Sequence, residues 1–329
     1  MESSVVDNNV VTTEFPLSST PVSSQDKERQ WTDAMVRWTA ANHNLQDDDD
    51  DNDHDNDDGS HDSTPEFQPN PSQVFTRSFP ITAGTNATTT SIDIELQGYE
   101  EQSDAIYIST GLTLWRSSEL LCEYLTQNEG TNRLQNLRTK CLQERGDDHL
   151  RILEIGSGLG LVGIFLQKFL LLDETMEKKE KDKEDYLVLT DGDNNALCLL
   201  RQNVQKNILD CESSSSTPSI QVEQLIWGQS TTESFLQQQQ QRYQQFDLLL
   251  AADAIYVLAN VQPLMETVAM LLQKPHGEFW FSYCRRRQVS VQIQDVLNEA
   301  TAIGLDYEQV LEDEDILIYI FRWKETERL

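Results

Sequence analysis

Beyond Leu150 the chain alternates between two kinds of hydrophobic pattern. Short apolar runs typical of buried strands are RILEI, YLVLT, IQVEQLIW, FDLLLAA, GEFWFSYC and ILIYIFRW. Segments with apolar residues at helical spacing lie between them: LVGIFLQKFL, NNALCLLRQNVQKN, VQPLMETVAMLLQK and VSVQIQDVLNEATAIG. Strands that alternate with helices favour right-handed crossovers and a mainly parallel sheet. We therefore expect an α/β fold whose ligand site lies at the carboxyl ends of the strands.

Before this alternating part, the pattern is that of a hairpin and one helix. Residues Ser91–Tyr99 (SIDIELQGY) alternate apolar and polar positions as a half-buried strand does, and VFTRSFPI is placed to pair with them. The stretch Gly111–Leu125 (GLTLWRSSELLCEYL) indicates a turn followed by an amphipathic helix. We therefore expect one folded domain over 73–329, with the hairpin and helix in 73–149 and the core in 150–329.

Three low-complexity inserts interrupt the alternating part of the chain. They span Asp173–Asp185, Cys211–Ser219 and Ser234–Gln245. Because each falls between expected elements, we interpret all three as expanded loops and assign them no function.

Residues 1–72 have a different texture and carry much of the charge. The formal net charge is -31 at pH 7, and the run Asp47–Asp58 contributes a conspicuous part of it. Such a run cannot bury apolar surface and repels itself, so we expect a disordered acidic leader. Within this leader Trp31, Met35 and Trp38 stand at helical spacing. That stripe either docks on a partner or forms only a transient helix.

Charge and cysteine usage exclude several classes of protein. The remaining acidity argues against a nucleic-acid-binding face and suits a basic protein partner. The five cysteines form no C-x-x-C pair, which favours free thiols in a reducing compartment, and the five histidines show no metal-ligand spacing. No signal-peptide pattern or bilayer-length apolar run is found in the sequence. We expect a soluble monomer, cytoplasmic and also nuclear, without bound metal, nucleic acid or membrane.

The first strand of the alternating part ends in a glycine cluster, RILEIGSGLGLVGIFL, over residues 151–166. Its GLGLVG portion matches G-x-G-x-x-G, the fingerprint of dinucleotide-binding folds. Glu154 stands just before the first glycine, however, and Asp191 closes the next strand in YLVLTDGD. A carboxylate there would repel a pyrophosphate but attract a ligand that carries positive charge. S-adenosylmethionine has a sulfonium, an ammonium and a ribose diol, which together suit both carboxylates and the glycine loop.

Several motifs in this order resemble a known family. They are GLTLWRSSELL, LEIGSGLGLVG, TDGDNNAL, LIWG and DLLLAADAIY. Over residues 97–323 the chain resembles the seven-strand S-adenosylmethionine-dependent methyltransferases, specifically methyltransferase family 16. This group of protein-lysine methyltransferases includes enzymes that act on calmodulin, elongation factors and chaperones, and the TDG turn looks most like the calmodulin-lysine branch. The resemblance implies a Rossmann-like seven-strand sheet, mostly parallel, with an N-terminal β-hairpin extension and S-adenosyl-L-methionine as the cofactor.

The resemblance also assigns roles to individual residues. It implies that the cofactor is bound by Trp115, Glu154, Gly156, Ser157, Gly158, Gly160, Asp191, Gly192, Asp193, Trp227 and Ala251. Asp253 and Tyr256 form a D-x-x-Y motif, in which the aspartate is expected to hold the substrate lysine. Plainer roles stay open: Glu154 could cap backbone amides, Trp115 could pack on the sheet, and Trp227 and Tyr256 could be ordinary core residues. Asp253 could be a strand-end residue that only holds a turn.

We therefore interpret the chain as a methyltransferase that modifies lysine side chains of a protein substrate. The first alternative is another nucleophile, such as protein histidine, an N-terminus, nucleic acid or a small molecule. The second is a cofactor-binding scaffold without turnover. The triplet Arg285-Arg286-Arg287 could draw an acidic substrate, but we interpret it as a solvated turn.

Overall fold

A computed structural model describes most of the chain beyond the expected leader. The described residues are 70–83, 88–107, 109–146, 149–172, 185–209, 220–238, 245–285 and 291–325. The stripe at Trp31, Met35 and Trp38, the insert at 211–219, nearly all of the insert at 173–185 and two arginines of the triplet lie outside them. The expectations for those segments stay predictions.

The described chain contains nine strands in two sheets. The strands are β1 (Gln73–Ala83), β2 (Thr88–Gly98), β3 (Arg151–Ile155), β4 (Tyr186–Asp191), β5 (Ile220–Gln224), β6 (Leu248–Ala252), β7 (Glu278–Cys284), β8 (Leu305–Asp313) and β9 (Ile316–Trp323). The pair β1–β2 forms an antiparallel hairpin, and the other seven form one sheet in the order β5-β4-β3-β6-β7-β9-β8. Only β9 runs antiparallel to its neighbours. The predicted fold, a mostly parallel seven-strand α/β sheet with an N-terminal hairpin, is confirmed.

Seven α-helices within the described ranges flank the sheet. They are α1 (Arg116–Thr126), α2 (Asn128–Arg145), α3 (Leu161–Leu171), α4 (Asn194–Val204), α5 (Gln229–Gln238), α6 (Val261–Leu271) and α7 (Ile293–Ala302). Helices α1 to α4 and the hairpin cover one face, and α5 to α7 cover the other. Successive side chains of β6 alternate between the two cores, with Leu248 and Leu250 on the first face and Leu249 on the second. Burial on both faces explains why the parallel strands read as continuous apolar runs.

The hairpin packs its alternating apolar side chains onto α3 and α4. Ile92, Ile94 and Leu96 of β2 are buried, and Phe79 of β1 meets Phe165 edge-to-face with ring centroids 5.0 Å apart. The alternation in the sequence thus places one face of the hairpin in the core, as predicted.

Three elements were not expected: helices α2 and α5 and strand β8. The insert that we interpreted as a loop at Ser234–Gln245 begins inside α5. All three elements are mostly polar: α2 buries a narrow stripe that includes Leu134, Leu137 and Cys141, α5 buries Thr232 and Phe235, and β8 is an exposed edge strand. Their apolar patterns are weak because tertiary contacts, rather than a broad hydrophobic face, hold them.

Candidate active site

The chain reverses its direction of winding between β3 and β6. From β3 it adds β4 and β5 on one side, and it then returns to add β6 and β7 on the other. In open α/β sheets such a switch point leaves a crevice at the carboxyl ends of the strands. A cleft lies there, lined by most of the expected site residues: Trp115, Glu154, Gly156, Ser157, Gly158, Asp191, Gly192, Asp193, Trp227, Asp253 and Tyr256.

Two expected site residues lie outside the lining of this cleft. Gly160 begins α3 with φ of 87°, and a Cβ there would come within 2.4 Å of Leu200 on α4, so its absence permits helix packing. Ala251 is fully buried in the core beneath α5 to α7. Because strand side chains alternate, its neighbour Ala252 lines the cleft instead.

The glycine loop brings bare backbone against the segment before α1. Gly158 has φ of 51°, and a Cβ there would lie 3.3 Å from the carbonyl oxygen of Gly111. The backbone N–H of Gly158 donates to Oδ2 of Asp191 at 3.0 Å. The loop is therefore fixed between two elements, and one of its amides is already bound to a carboxylate.

Glu154 places a buried carboxylate beside the cleft. Its side chain accepts a hydrogen bond from the N–H of Gly163 at 3.0 Å, and the residue is 2% exposed. Burial raises the pKa of Glu154 to about 8, because desolvation outweighs its hydrogen bonds from Ser157 and Gly163. A cationic ligand in the cleft would favour the ionised form of this group.

Asp191 ends β4 and Asp193 follows it two residues later, and the two carboxylates have different hydrogen-bond partners. Asp191 accepts from the N–H groups of Gly158 and Asp193, and desolvation nevertheless raises its pKa to about 6. The Asp193 carboxylate caps α4 by accepting from the N–H of Asn195 at 2.6 Å and of Ala196 at 3.2 Å. Asp193 thus lines the cleft while its carboxylate serves the helix.

Asp253 follows β6 in a conformation that is uncommon outside glycine. Its φ is 54°, and its N–H donates to the carbonyl oxygen of Ser282 on β7 at 2.9 Å. Non-glycine residues in this region cluster at functional sites, and Asp and Asn tolerate it best. Asp253 lines the cleft after this turn, as the glycine loop does after β3.

Thr110 connects two of the expected aromatic site residues. Its hydroxyl lies 3.0 Å from the Tyr256 hydroxyl, and its carbonyl oxygen accepts from Nε1 of Trp115 at 3.0 Å. Desolvation raises the pKa of Tyr256 to about 12, so this phenol stays protonated at neutral pH. Tyr256 can therefore form hydrogen bonds but is not suited to act as a general base.

Some lining residues were not expected from the sequence. Thr110 and Gly111 stand at the head of the GLTLW segment, Ile226 stands inside LIWG, and Asn260 and Pro263 come from the start of α6. Thr110, Gly111 and Ile226 lie within or next to the motifs, so their position could have indicated a role in the site. Nothing in the sequence indicated Asn260 and Pro263, because only the fold brings α6 to the cleft.

The residues of the cleft fit the predicted cofactor. S-adenosylmethionine needs acceptors for a diol and for positive charge, and Asp191 and Glu154 provide carboxylates for both. Trp115 and Trp227, both half-buried, provide aromatic surface in the lining. The crowding at Gly158 shows that the loop is shaped to leave the cleft free of side chains at that point.

A second polar cluster lies at the other end of the sheet. Cys141, Asp247 and His276 are buried with potential ligand atoms within 4.8 Å of one another, which is a set that could hold a metal ion. The Asp247 carboxylate is paired with Arg145 and accepts from the N–H of Arg151 at 2.9 Å. Because these bonds already use the carboxylate, we interpret the cluster as a structural tie between α2 and the sheet.

A family model described as lysine methyltransferase matches residues 94–299. The chain belongs to the lysine methyltransferase family. The predicted family and cofactor, S-adenosyl-L-methionine, are thereby confirmed. Within the described part of the chain, no helix combines the length and apolar character needed to cross a membrane.

Two curated yeast relatives from Saccharomyces cerevisiae are similar to this chain. Protein-lysine N-methyltransferase EFM6 is 28% identical over 157 residues, which cover 47% of this chain and 55% of that protein. Protein-lysine N-methyltransferase EFM3 is 26% identical over 166 residues, covering 50% and 41%. The matched region thus spans about half the length of these relatives.

Solved methyltransferase structures also match the chain. A TehB-like SAM-dependent methyltransferase from Corynebacterium glutamicum is 16% identical with a TM-score of 0.34, covering 60% of this chain and 100% of that one. An O-methyltransferase from Bacillus cereus in complex with SAH is 16% identical with a TM-score of 0.36, covering 65% and 94%.

Proposed function

We propose that this chain transfers a methyl group from S-adenosyl-L-methionine to lysine side chains of a protein substrate. Asp253 carries the proposal, because it sets a carboxylate at the end of β6, where it lines the same cleft as the glycine loop. The description of the family and the names of the yeast relatives support the same activity. We further propose that 73–329 forms the catalytic domain and 1–72 a separate leader.

The side chains of the cleft divide the work. Bound S-adenosylmethionine supplies an electrophilic methyl group on a sulfonium. Glu154 and Asp191 would hold the cofactor from one side, and Trp115 and Trp227 would pack against it. Asp253 would attract the substrate ammonium and orient its nitrogen. Tyr256, protonated and tied to Thr110, would form a wall of the site.

The proton on the substrate must leave before the nitrogen can act as a nucleophile. A lysine ammonium has a pKa of about 10.4 in water, so the amine is almost fully charged at neutral pH. A positive charge nearby favours the neutral amine, and desolvation in the cleft acts in the same direction. Asp253 would therefore act by positioning the amine, and no covalent intermediate on the protein is required.

The proposed acceptor is a protein, in a soluble compartment. Calmodulin, elongation factors and chaperones are the candidate substrates, and monomeric state and a cytoplasmic or nuclear location are part of the same proposal. The net charge of -31 supports a basic protein segment as acceptor over nucleic acid.

The test uses labelled methyl transfer into a lysate from cells that lack this gene product. Asp253→Asn removes the carboxylate charge while keeping a residue that tolerates positive φ, and Asp306→Asn changes an exposed aspartate on β8 as the control. We expect a discrete labelled protein with methylated lysine, and at least about a hundredfold loss of labelling with Asp253→Asn only. Label on another residue type, or none despite retained cofactor binding, would overturn the proposal.

A further inference from the structure

A second pocket adjoins Asp253, and no residue of the glycine loop lines it. It lies between the start of α1 and the turn that joins β8 to β9, and it includes Ser117, Cys284 and residues 313–316. Asp253 lines both this acidic pocket and the cofactor cleft, whereas Glu154 and Asp191 line the cleft alone. The shared aspartate thus connects the methyl-donor side with a separate opening.

The acidic pocket concentrates negative charge. Asp253, Asp313, Glu314 and Asp315 contribute four carboxylates, and Asp313 and Glu314 are exposed at its rim. Among the described residues, no cation forms an ion pair with either rim carboxylate. Their charge therefore remains available to an approaching cation.

Among the described residues that line the pocket, Arg116 is the basic one, and its charge is engaged within its own helix. Arg116, at the first position of α1, pairs with Glu119 at 3.0 Å and with Glu123 at 3.1 Å. Its guanidinium therefore does little to offset the exposed charge of Asp313 and Glu314 at the rim.

Ser117 gives the pocket an unused polar group. The residue is fully buried, lines the pocket, and its Oγ has no hydrogen-bond partner among the described residues. Its carbonyl oxygen accepts from the hydroxyl of Ser282, the residue whose own carbonyl holds Asp253. A buried hydroxyl without a partner costs free energy, and a ligand that supplied one would recover it.

Two nearly buried residues add apolar surface to the pocket. Cys284 and Ile316 both line it and are at most 9% exposed. A pocket with an acidic rim and an apolar interior matches a side chain with an aliphatic stem and a cationic tip, which is the shape of lysine.

We propose that the acidic pocket is the entry by which the target lysine reaches Asp253, and that it selects lysines lying within a basic segment. The inference rests on the proposed function and adds the substrate class. The target stem packs on Cys284 and Ile316, Ser117 accepts from the ammonium as it passes, and Asp313 and Glu314 attract neighbouring Lys or Arg side chains.

Peptide binding tests this inference without requiring turnover. The full chain with S-adenosylhomocysteine is titrated with fluorescein-labelled peptides whose centre is Arg-Lys-Arg or Ala-Lys-Ala. We expect the basic peptide to bind about tenfold more tightly at low salt, and the difference to shrink as salt rises. Equal binding of the two peptides, or no binding of the basic one, would overturn the proposal.

Two pairs of variants distinguish a specific effect of the rim carboxylates from a general effect of net charge. Asp313→Asn with Glu314→Gln should reduce the preference for the basic peptide about fivefold. The control pair, Glu233→Gln with Asp306→Asn, removes the same charge from exposed sites on α5 and on β8 away from the turn. It should change the preference for the basic peptide less than about twofold. If the two pairs act alike, the rim has no specific role and the inference is wrong.

Ser117→Ala provides an independent check at the buried wall. This variant should weaken the binding of both peptides to the same extent, about threefold, and leave the affinity for S-adenosylmethionine unchanged. The outcomes also separate the two proposals. Rim-dependent peptide binding without any methylated lysine would count against the proposed function, whereas methylated lysine with rim-independent binding would count against this entry site.

Discussion

Asn203 of α4 hydrogen-bonds the backbone of Gln97 on β2 in both directions. Its Oδ1 accepts from the Gln97 N–H at 2.8 Å, and its Nδ2 donates to the Gln97 carbonyl at 3.1 Å and to the Leu159 carbonyl at 3.1 Å. The side chain imitates a neighbouring strand, and so it attaches the outer edge of the hairpin to the core. One buried amide thereby ties the hairpin, the glycine loop and α4 together.

We therefore expect Asn203→Ala to lower the free energy of unfolding by about 3 kcal/mol, because it leaves three partly buried backbone groups without partners. Denaturant unfolding with linear extrapolation measures this loss. Asn194→Ala, at an exposed position of the same helix, is the control and should change the value by less than about 0.5 kcal/mol. Equal losses in both variants would contradict the attachment.

Glu154 should make the stability of the ligand-free protein depend on pH. Its pKa rises from an ordinary 4.5 to about 8 on folding, so the folded state keeps a proton that the unfolded state releases. The free energy of unfolding should therefore fall as pH rises from about 4.5 to about 8, by up to about 5 kcal/mol. Below pH 4.5 both states are protonated and this penalty disappears.

Glu154→Gln removes that dependence while keeping an acceptor for the Gly163 N–H. The variant should gain stability relative to wild type between pH 5 and pH 8, as measured by denaturant unfolding, and bind S-adenosylmethionine at least about tenfold more weakly. Glu233→Gln, on the exposed side of α5, should show neither change. A constant stability difference between Glu154→Gln and wild type across this pH range would contradict the raised pKa.

Gly158→Ala should weaken cofactor binding by at least about tenfold. The added Cβ would stand 3.3 Å from the Gly111 carbonyl at a φ of 51°, so the loop must shift against the cleft. Gly146→Ala is a matched control, because Gly146 has φ of 77° with no atom within 4 Å of an added Cβ. Both variants should lose about 1–2 kcal/mol of stability, but only Gly158→Ala should alter affinity in calorimetric titration with S-adenosylmethionine. Unchanged affinity in Gly158→Ala would contradict the crowding.

Elements with strong periodic patterns were predictable, and weakly patterned ones were not. The parallel strands and most of the helices between them follow from apolar runs, because burial on both sheet faces leaves few polar positions. Helix α5 was missed because it is mostly polar and buries only Thr232 and Phe235. Helix α2 was missed because it is attached to the core partly by an ion pair between Arg138 and Asp185, and these residues are distant in the sequence. Strand β8 was missed because an exposed edge needs little apolar surface.

The cleft was predictable to the extent that its residues follow strand ends. Glu154, Asp191 and Asp253 each stand at the carboxyl end of a parallel strand, where the topology collects them. The choice between Ala251 and Ala252 was not predictable, because it depends on which face each residue of β6 presents. The hydrogen bond between the hydroxyls of Thr110 and Tyr256 joins residues 146 positions apart, and no sequence pattern predicted it.

By itself the sequence determined the α/β class, the order of the elements, the glycine loop and the carboxylates that flank it. Local periodicity and short motifs encode all of these, since each depends on neighbours only a few residues away. The tertiary structure alone decided that Asp253 lies between two openings and that Ser117 and residues 313–316 share a pocket with it. Those relations join residues from 60 to 199 positions apart, and packing and strand order bring them together.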